Sequence, residues 1–262
     1  MPKFSCNISM LYGEVGFLDR FARAAAAGFR GVEFHQPYDH PPERLAALLA
    51  ENALECALFN LPMGAPGEAG IACLPDRRGE FREGVGRAID YARAMGCRQM
   101  NCLAGIAPAG AAHGALRDVF VDNLAFAAAA FGRAGLQLVV EPLNDRDVPG
   151  FLLSRSDEMA AAMDAVGAAN LRLQFDLYHA DMMGEDLEAT LARLLPRIGH
   201  IQFSDNPGRH EPGTGNIDIM ARLAQLDALG YDGWVGAEYR PRGATEASLG
   251  WFTPQRKPAA PR

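Results

Sequence analysis

The chain has 262 residues, of which 49% are hydrophobic and 22% are charged. This composition is typical of a globular protein and excludes a disordered or collagen-like chain. Its 32 acidic and 25 basic residues give a formal net charge of −7, which disfavours a nucleic acid partner because clustered Lys and Arg bind phosphates.

Short β-branched or aromatic runs alternate with amphipathic Ala- and Leu-rich runs along the whole chain. This pattern predicts strands at 4–11, 31–35, 54–61, 98–103, 136–143, 171–178, 200–204 and 234–239. It predicts helices near 16–27, 41–52, 77–95, 114–134, 155–166, 186–198, 218–229 and 245–252. Eight strand–helix pairs in about 250 residues favour an α/β fold with a single (β/α)8 barrel, and counting alone leaves open a doubly wound sheet.

The barrel is expected to occupy residues 1–252, and the Pro-rich, basic segment 253–262 is expected to be a disordered tail. Six glycines follow the predicted helices and are expected to end them in a left-handed conformation; they are Gly28, Gly96, Gly135, Gly167, Gly199 and Gly230. Ser154 and Ser156 are expected to cap the helix after the fifth strand.

The cysteines indicate the cellular compartment. Five cysteines occur without a C-x-x-C pair, and each lies among apolar residues. The N-terminal segment lacks a basic region followed by an apolar one, and the longest uncharged helical stretch is much shorter than a membrane span. We therefore expect reduced thiols, a cytoplasmic location and no membrane partner.

Oxygen-bearing side chains occur near the ends of four consecutive predicted strands. Glu141, Asp176, Gln202 and Glu238 belong to strands five to eight and are separated by 35, 26 and 36 residues. In a barrel, the catalytic groups lie at the C-terminal ends of the strands. We therefore expect these four side chains to meet in one site.

Several carboxylates that are buried together repel one another unless a cation neutralises them. An all-oxygen ligand set suits a hard divalent ion such as Mg²⁺ or Mn²⁺. Glu141 and Glu238 come from strands separated by two others, so they would approach a bound ligand from opposite sides. Such a pair fits an aldose–ketose interconversion, in which a base removes a proton and an acid returns one to the neighbouring carbon.

Six segments of the sequence carry a recognisable pattern: FSCNISMLYGE near the N-terminus, GFRGVEF at 28–34, GIACLP from Gly70, EPLN from Glu141, QFDLYH from Gln174, and DNPGRHEPGTGNI from Asp205. Together they resemble the hydroxypyruvate isomerase family of xylose-isomerase-like barrels. The last segment is the most specific, and the resemblance extends over nearly the whole chain.

The resemblance implies a metal-dependent isomerase that interconverts hydroxypyruvate and 2-hydroxy-3-oxopropanoate (tartronate semialdehyde), a small anionic substrate. It implies that Glu141, Asp176, Gln202 and Glu238 hold the metal, and that the two glutamates transfer protons. The related ketose 3-epimerases usually have His at the position of Gln202, which favours the hydroxypyruvate branch. That branch also includes 2-oxo-tetronate isomerases, so the exact substrate stays open.

Three further polar side chains are candidates for substrate binding. His179 follows Asp176 by three residues, Arg209 lies in the loop after strand seven, and His35 ends strand two. Arg209 could hold the substrate carboxylate through two hydrogen bonds. Asn7, Asn60 and Asn101 are expected to line or support the pocket, and the loop 212–216 is a weaker candidate for an anion site.

Two other functions remain as alternatives. An endonuclease IV-like hydrolase would need a His-rich cluster of several metals and a basic surface, which six scattered histidines and a charge of −7 disfavour. A non-catalytic sugar-acid binder would have no use for two opposed glutamates on a metal. The sequence leaves the oligomeric state open, including a homo-oligomer.

Overall fold

The computed structural model describes residues 2–255. Eight parallel strands form a closed barrel in chain order, and the first strand pairs with the last. The strands are β1 (Lys3–Asn7), β2 (Gly31–Phe34), β3 (Glu55–Asn60), β4 (Gln99–Cys102), β5 (Gln137–Val140), β6 (Leu171–Asp176), β7 (Ile198–Phe203) and β8 (Trp234–Ala237). The predicted (β/α)8 barrel is confirmed, since the β1–β8 pairing excludes an open sheet.

Helices connect the strands on the outside of the barrel. They are α1 (Arg20–Ala27), α2 (Pro42–Glu51), α3 (Arg78–Met95), α4 (His113–Arg133), α5 (Ser156–Val166), α6 (Leu177–Met182), α7 (Leu187–Leu194) and α8 (Ile219–Ala228). Short 3-10 helices occupy Phe17–Asp19, Pro75–Arg77, Leu195–Arg197 and Thr245–Gln255. Among the described residues, no helix has both the length and the apolarity needed to cross a membrane.

Helix α1 shows how the sequence specifies these elements. Phe21, Ala24 and Ala27 are buried on one face at helical spacing, and Gly28 ends the helix with φ of 101°. A left-handed residue at this place costs least for glycine, which has no Cβ. The apolar core lies between such helix faces and the outer face of the barrel.

Two of the predicted helix signals are wrong. Gly199 lies inside β7, because Leu195–Arg197 already turns the chain before that strand begins. No serine side chain caps α5. Instead, the Glu158 carboxylate accepts hydrogen bonds from the backbone N–H groups of Ser154 and Arg155, just before the helix. The backbone N–H of Ser156, the first of the helix, donates to the Glu185 carboxylate.

The predicted strands also extend too far at their C-terminal ends. Strand six stops at Asp176, whose carboxylate accepts a hydrogen bond from the backbone N–H of Tyr178 and so begins α6. Burial continues into the loops after the strands, and for this reason the apolar pattern overestimates strand length. The last 3-10 helix extends to Gln255, and the remainder of the predicted tail, 256–262, lies outside the described residues.

Candidate active site

A cavity of about 180 Å³ opens at the C-terminal ends of the strands. The barrel places polar side chains from many strands around it and apolar ones toward its rim. The cavity is lined by Asn7, Phe34, His35, Leu58, Asn60, Met63, Ala69, Leu103, Glu141, Leu143, Val148, Gln174, His179, Gln202, Arg209 and Glu238. Six of the seven predicted site residues line it directly, and Asp176 contacts two of these six.

The four candidate ligands converge because each lies at or near the C-terminal end of its strand. Glu141 and Glu238 each directly follow the last residue of a strand, β5 and β8, whereas Asp176 ends β6 and Gln202 lies near the end of β7. All four residues are almost completely buried. Single ligand atoms of Glu141, Asp176 and His179 lie within 4.8 Å of one another, a spacing at which one ion could contact all three.

Glu141 has a single side-chain partner among the described hydrogen bonds, the amide of Asn101, which donates to Oε2 at 2.8 Å. Burial raises the pKa of Glu141 well above its usual range, and the charges of Glu238 and Asp176 raise it further. A nearby divalent cation would reverse this shift, because it favours the charged form.

Glu238 has a very different environment. Its Oε1 accepts hydrogen bonds from Asn7 at 2.8 Å and from the His35 ring at 2.7 Å, and its Oε2 accepts one from Arg209 at 2.6 Å. Burial alone would raise the pKa of Glu238. Arg209 and His35 outweigh burial and lower it to about 2, so this carboxylate is ionised at neutral pH.

Asp176 lies between the two glutamates. Its Oδ2 is 3.5 Å from the Arg209 guanidinium and 3.6 Å from Nε2 of His179. Burial raises the pKa of Asp176 to about 7, and Arg209 and Glu238 act on it in opposite directions. The three acids therefore differ strongly in their affinity for a proton.

Gln202 presents its side chain to the cavity with a defined orientation. Its Nε2 donates to Glu33 at 2.7 Å, and its Oε1 accepts from Gln174 at 2.6 Å. The side-chain oxygen of Gln174, Oε1, is also buried, and it has no hydrogen-bond partner. A buried orphan acceptor is costly and calls for a ligand or cation.

His179 is held as a neutral ring. Its Nδ1 accepts hydrogen bonds from the backbone and the side chain of Asn144, at 3.2 and 2.7 Å. Burial and the charge of Arg209 lower the pKa of His179 to about 3. Because Nδ1 accepts, Nε2 carries the proton, so His179 faces Asp176 and the cavity as a hydrogen-bond donor.

Arg209 is presented by a loop that folds around a carboxylate of the chain itself. Asp205 accepts five backbone hydrogen bonds within this loop, at 2.8 to 3.0 Å, from Asn206, Gly213, Thr214, Gly215 and Ile217. The N–H groups considered as an anion site are therefore already used. Arg209 itself adopts φ of 58°, and its guanidinium lies 5.2 Å from the centre of the Tyr178 ring.

The remaining predicted residues have supporting positions. Asn7 bonds to Glu238, Asn101 bonds to Glu141, and Asn60 lines the cavity, with its amide 3.3 Å from the sulfur of Met63. Sequence reasoning missed the roles of Glu33, Gln174 and Asn144 around the site. The missed signal was a polar residue inside an apolar strand, as in the VEF of β2 and the LQF of β6.

The donor set fits a hard divalent cation. Carboxylate oxygens of Glu141, Asp176 and Glu238 lie around one cavity with the amide oxygens of Gln202 and Gln174. Such oxygens are the preferred ligands of Mg²⁺ and Mn²⁺. The raised pKa values of Glu141 and Asp176 and the orphan oxygen of Gln174 all indicate unmet demand for positive charge.

Comparisons with known proteins agree with this architecture. The family model described as Xylose isomerase-like TIM barrel matches residues 21–255. A 2-oxo-tetronate isomerase from Cupriavidus necator is 47% identical over 256 residues, covering 97% of this chain and 98% of that protein. The hydroxypyruvate isomerase of Escherichia coli is 46% identical over 258 residues, covering 98% and 100%.

Among solved structures, a crystal structure from Brucella melitensis named AP endonuclease, family 2, superposes with a TM-score of 0.95 at 40% identity. It covers 98% of this chain and 100% of its own. The family model and the two curated relatives extend over nearly all of the chain. The chain therefore belongs to the xylose isomerase-like TIM barrel family and, within it, to the hydroxypyruvate isomerase family, and it is an isomerase.

Proposed function

We propose that this isomerase depends on Mg²⁺ or Mn²⁺ and interconverts hydroxypyruvate and 2-hydroxy-3-oxopropanoate (tartronate semialdehyde) by proton transfer. The observation that supports this most directly is the pair of buried glutamates, Glu141 and Glu238, which follow β5 and β8 and line one small cavity. The cytoplasmic location expected from the sequence stays a prediction.

The residues that would hold the metal are Glu141, Asp176, Gln202 and Glu238. When bound, the metal would polarise the substrate oxygens and stabilise the negative charge that develops during proton transfer. In this assignment His179 binds substrate and is not a ligand, because its Nε2 carries a proton and cannot coordinate an ion in that state.

The two glutamates carry out the proton transfers. One takes a proton from C3 of hydroxypyruvate, and the electron pair of the broken C–H bond forms the C2–C3 double bond of an enediolate. The electron pair of that double bond then forms the C2–H bond with a proton from the other glutamate, while the electron pair of the C3 O–H bond forms the C3 carbonyl. The C3 hydroxyl loses its proton and the C2 oxygen gains one, so the product contains the same atoms as the substrate.

Three basic or donor side chains would orient the substrate. His179 donates its Nε2–H toward the substrate oxygens. Arg209, which lies against Glu238 and Asp176, can pair with the substrate carboxylate. His35, hydrogen-bonded to Glu238, would hold that glutamate in place and contact the substrate from the β2 side.

A 2-oxo-tetronate is the second candidate substrate. The relatives named for the two substrates are 47% and 46% identical to this chain, so identity favours neither. Both substrates contain the same hydroxy-keto-carboxylate group, which the proposed site would recognise in the same way. A ketose 3-epimerase activity would use the same ligands on a longer sugar without a carboxylate.

The deciding experiment is an isomerase assay on chelator-stripped protein, in which hydroxypyruvate and a 2-oxo-tetronate are each tested with added Mg²⁺ or Mn²⁺. We expect activity to disappear on stripping and to return with metal. Activity that ignores the chelator would contradict the metal mechanism. A reaction in D₂O should label the product carbon, and a product without solvent label would indicate a proton shielded from solvent or a hydride shift.

The same preparation tests the two other functions. The Brucella neighbour named AP endonuclease makes cleavage of abasic-site DNA worth measuring, and the net charge of −7 leads us to expect none. A Glu238→Gln variant separates an enzyme from a binder. A binder would show no turnover before or after the change and would keep its ligand affinity.

A further inference from the structure

One buried carboxylate lies beneath the candidate ligands and outside the proposed reaction. Glu33 in β2 is fully buried. It accepts hydrogen bonds from Ser5 at 2.7 Å and from Nε2 of the His200 ring at 2.9 Å, both on Oε2. It accepts two more, from Gln202 at 2.7 Å and Asn7 at 3.2 Å, both on Oε1.

The direction of the hydrogen bonds below Glu33 is fixed by the backbone. Nε2 of Gln99 donates to the carbonyl of Ala57 at 3.2 Å, and the same nitrogen lies 3.2 Å from Nδ1 of His200. A carbonyl only accepts, so the NH₂ end of Gln99 faces His200, and Nδ1 must accept. The proton of the neutral His200 ring is therefore on Nε2, which donates to Glu33.

Above Glu33, the same logic fixes Gln202. A carboxylate only accepts, so Gln202 must turn its NH₂ toward Oε1 of Glu33. Its oxygen then faces Gln174 and the cavity. The two ends of an amide are nearly equal in shape, so hydrogen-bond partners alone decide which end the cavity meets.

The barrel makes room for this carboxylate. A Cβ built on Gly236 of β8 would lie 2.3 Å from Oε1 of Glu33, so any larger residue there would displace the oxygen that faces Gln202. Nothing in the reaction itself requires a glycine at this position. The close approach therefore serves the placement of Glu33.

We propose that Glu33 is a positioning residue that turns the oxygen of Gln202 toward the metal. The inference rests on the proposed metal dependence and goes one step beyond it. Glu33 does not touch the ion. Gln99 donates to His200, and His200 donates to Glu33, which keeps Glu33 as an acceptor. Glu33 in turn accepts from the NH₂ of Gln202 and so selects which end of that amide becomes the ligand.

The Glu33→Gln variant tests this directly, because a glutamine side chain brings an NH₂ group of its own. That NH₂ group cannot face His200, because Nε2 of His200 carries a proton and is itself a donor, as fixed by the hydrogen bond from Gln99. It must face Gln202, which can turn over and still bond to Gln174, since the free oxygen of Gln174 can turn with it. The variant should therefore fold but present the Gln202 NH₂ to the cavity.

The measurement is the affinity of the full-length, chelator-stripped protein for Mn²⁺, by electron paramagnetic resonance of the free ion. We expect Glu33→Gln to weaken Mn²⁺ binding about tenfold or more, as is typical when a partner of a metal ligand is changed.

Ser5→Ala is the matched control. It removes a hydrogen bond to the other oxygen of Glu33, and we expect Mn²⁺ affinity to stay within about threefold.

A second background separates positioning from a general structural role. A carboxylate has two equivalent oxygens and needs no orientation, so in a Gln202→Glu background the Glu33→Gln change should no longer weaken Mn²⁺ binding. An equal loss in both backgrounds, or no loss in either, would overturn the inference. If Glu33→Gln does not fold, Gly236→Ala replaces it and should show the same dependence on background.

The wild-type protein distinguishes this inference from the proposed function. If wild type binds no Mn²⁺, the proposed function fails and the inference fails with it. If wild type binds Mn²⁺ and isomerises its substrate while Glu33→Gln binds Mn²⁺ equally well, only the inference fails. The melting temperature of the metal-free variants shows whether an effect on Mn²⁺ merely follows a loss of folding.

Discussion

The two halves of the barrel contribute different side chains to one cavity. The second half, β5 to β8, supplies the acids Glu141, Asp176 and Glu238 and the amide of Gln202. The first half supplies neutral or basic donors to those acids. They are Asn7 and His35 for Glu238 and Asn101 for Glu141.

This asymmetry shows how a barrel can concentrate negative charge without unfolding. Each of the two glutamates has at least one donor on the neighbouring strand, which reduces the cost of burial. The donors leave Glu141 and Asp176 with raised pKa values, so a demand for positive charge remains on the side of the second half. The donors of the first half, together with Arg209, hold the acids to which we assign the chemistry.

The largest effect should come from removing the two carboxylates of the second half that are proposed to transfer protons. Glu141→Gln and Glu238→Gln keep the shape of the side chain, but an amide cannot take up or release a proton at neutral pH. We expect each to lower kcat by about 10³-fold, within the range of general acid–base catalysis. Steady-state kinetics with saturating metal measure this, with the exposed Glu51→Gln as control. A kcat within tenfold of wild type would remove that glutamate from the reaction.

A smaller effect should come from Arg209, the cation in the loop after β7. Arg209→Ala removes the side chain proposed to bind the substrate carboxylate, and the loss of such a hydrogen bond to a charged group typically costs about 1.5–3 kcal/mol. We expect KM for hydroxypyruvate to rise roughly 10- to 100-fold. The exposed Arg146→Ala is the control. An unchanged KM would show that another group binds the carboxylate.

The sequence indicated that the acids of the second half and the supporting groups Asn7, His35 and Asn101 of the first half would lie around one cavity, and their roles stay predictions. It did not indicate the place of Glu33. Acids that end apolar strands, such as Glu141 and Asp176, stand out because a buried charge needs a partner. The direction of an amide or an imidazole depends on neighbours that are distant in sequence. Glu33 and Gln202 are 169 residues apart and meet only when the barrel closes.

The same reason explains the errors in the fold. Alternation and glycine spacing indicate the number and order of the strand–helix pairs, and the β1–β8 pairing then distinguishes a barrel from an open sheet. Helix ends depend on single contacts, such as that of Glu158 with the start of α5, which a pattern of Ser residues did not reveal. Within the site, the sequence did not indicate that backbone N–H groups of the loop bind the Asp205 carboxylate, because these five contacts form only when the loop is folded.

The donors of the first half should matter less than the acids they hold. Asn101→Ala removes the hydrogen bond to Glu141 and leaves that carboxylate without its amide donor. We expect kcat/KM to fall about tenfold, the usual cost of one hydrogen bond to a charged group. Asn60→Ala is a matched control, because Asn60 lines the same cavity and its amide contacts the sulfur of Met63. Equal effects of the two changes would argue against a distinct role for Asn101.

The smallest expected effect is the pH dependence of Mn²⁺ affinity. It tests whether the acids of the second half need a cation to neutralise them. Burial raises the pKa of Asp176 to about 7, so at pH 6.5 a proton competes with the metal for this carboxylate. Above pH 7 Asp176 is ionised and the competition ends, so affinity should rise with pH. A group with this pKa is ionised about fourfold more at pH 8 than at pH 6.5, and we expect Mn²⁺ affinity to rise at least that much.

Asp176→Asn is the control variant. It should bind Mn²⁺ more weakly, and its Mn²⁺ affinity should change less with pH. If the Mn²⁺ affinity of wild type does not change between pH 6.5 and pH 8, the acids are already neutralised by groups of the chain itself. Arg209 and the donors of the first half would then be sufficient to neutralise them.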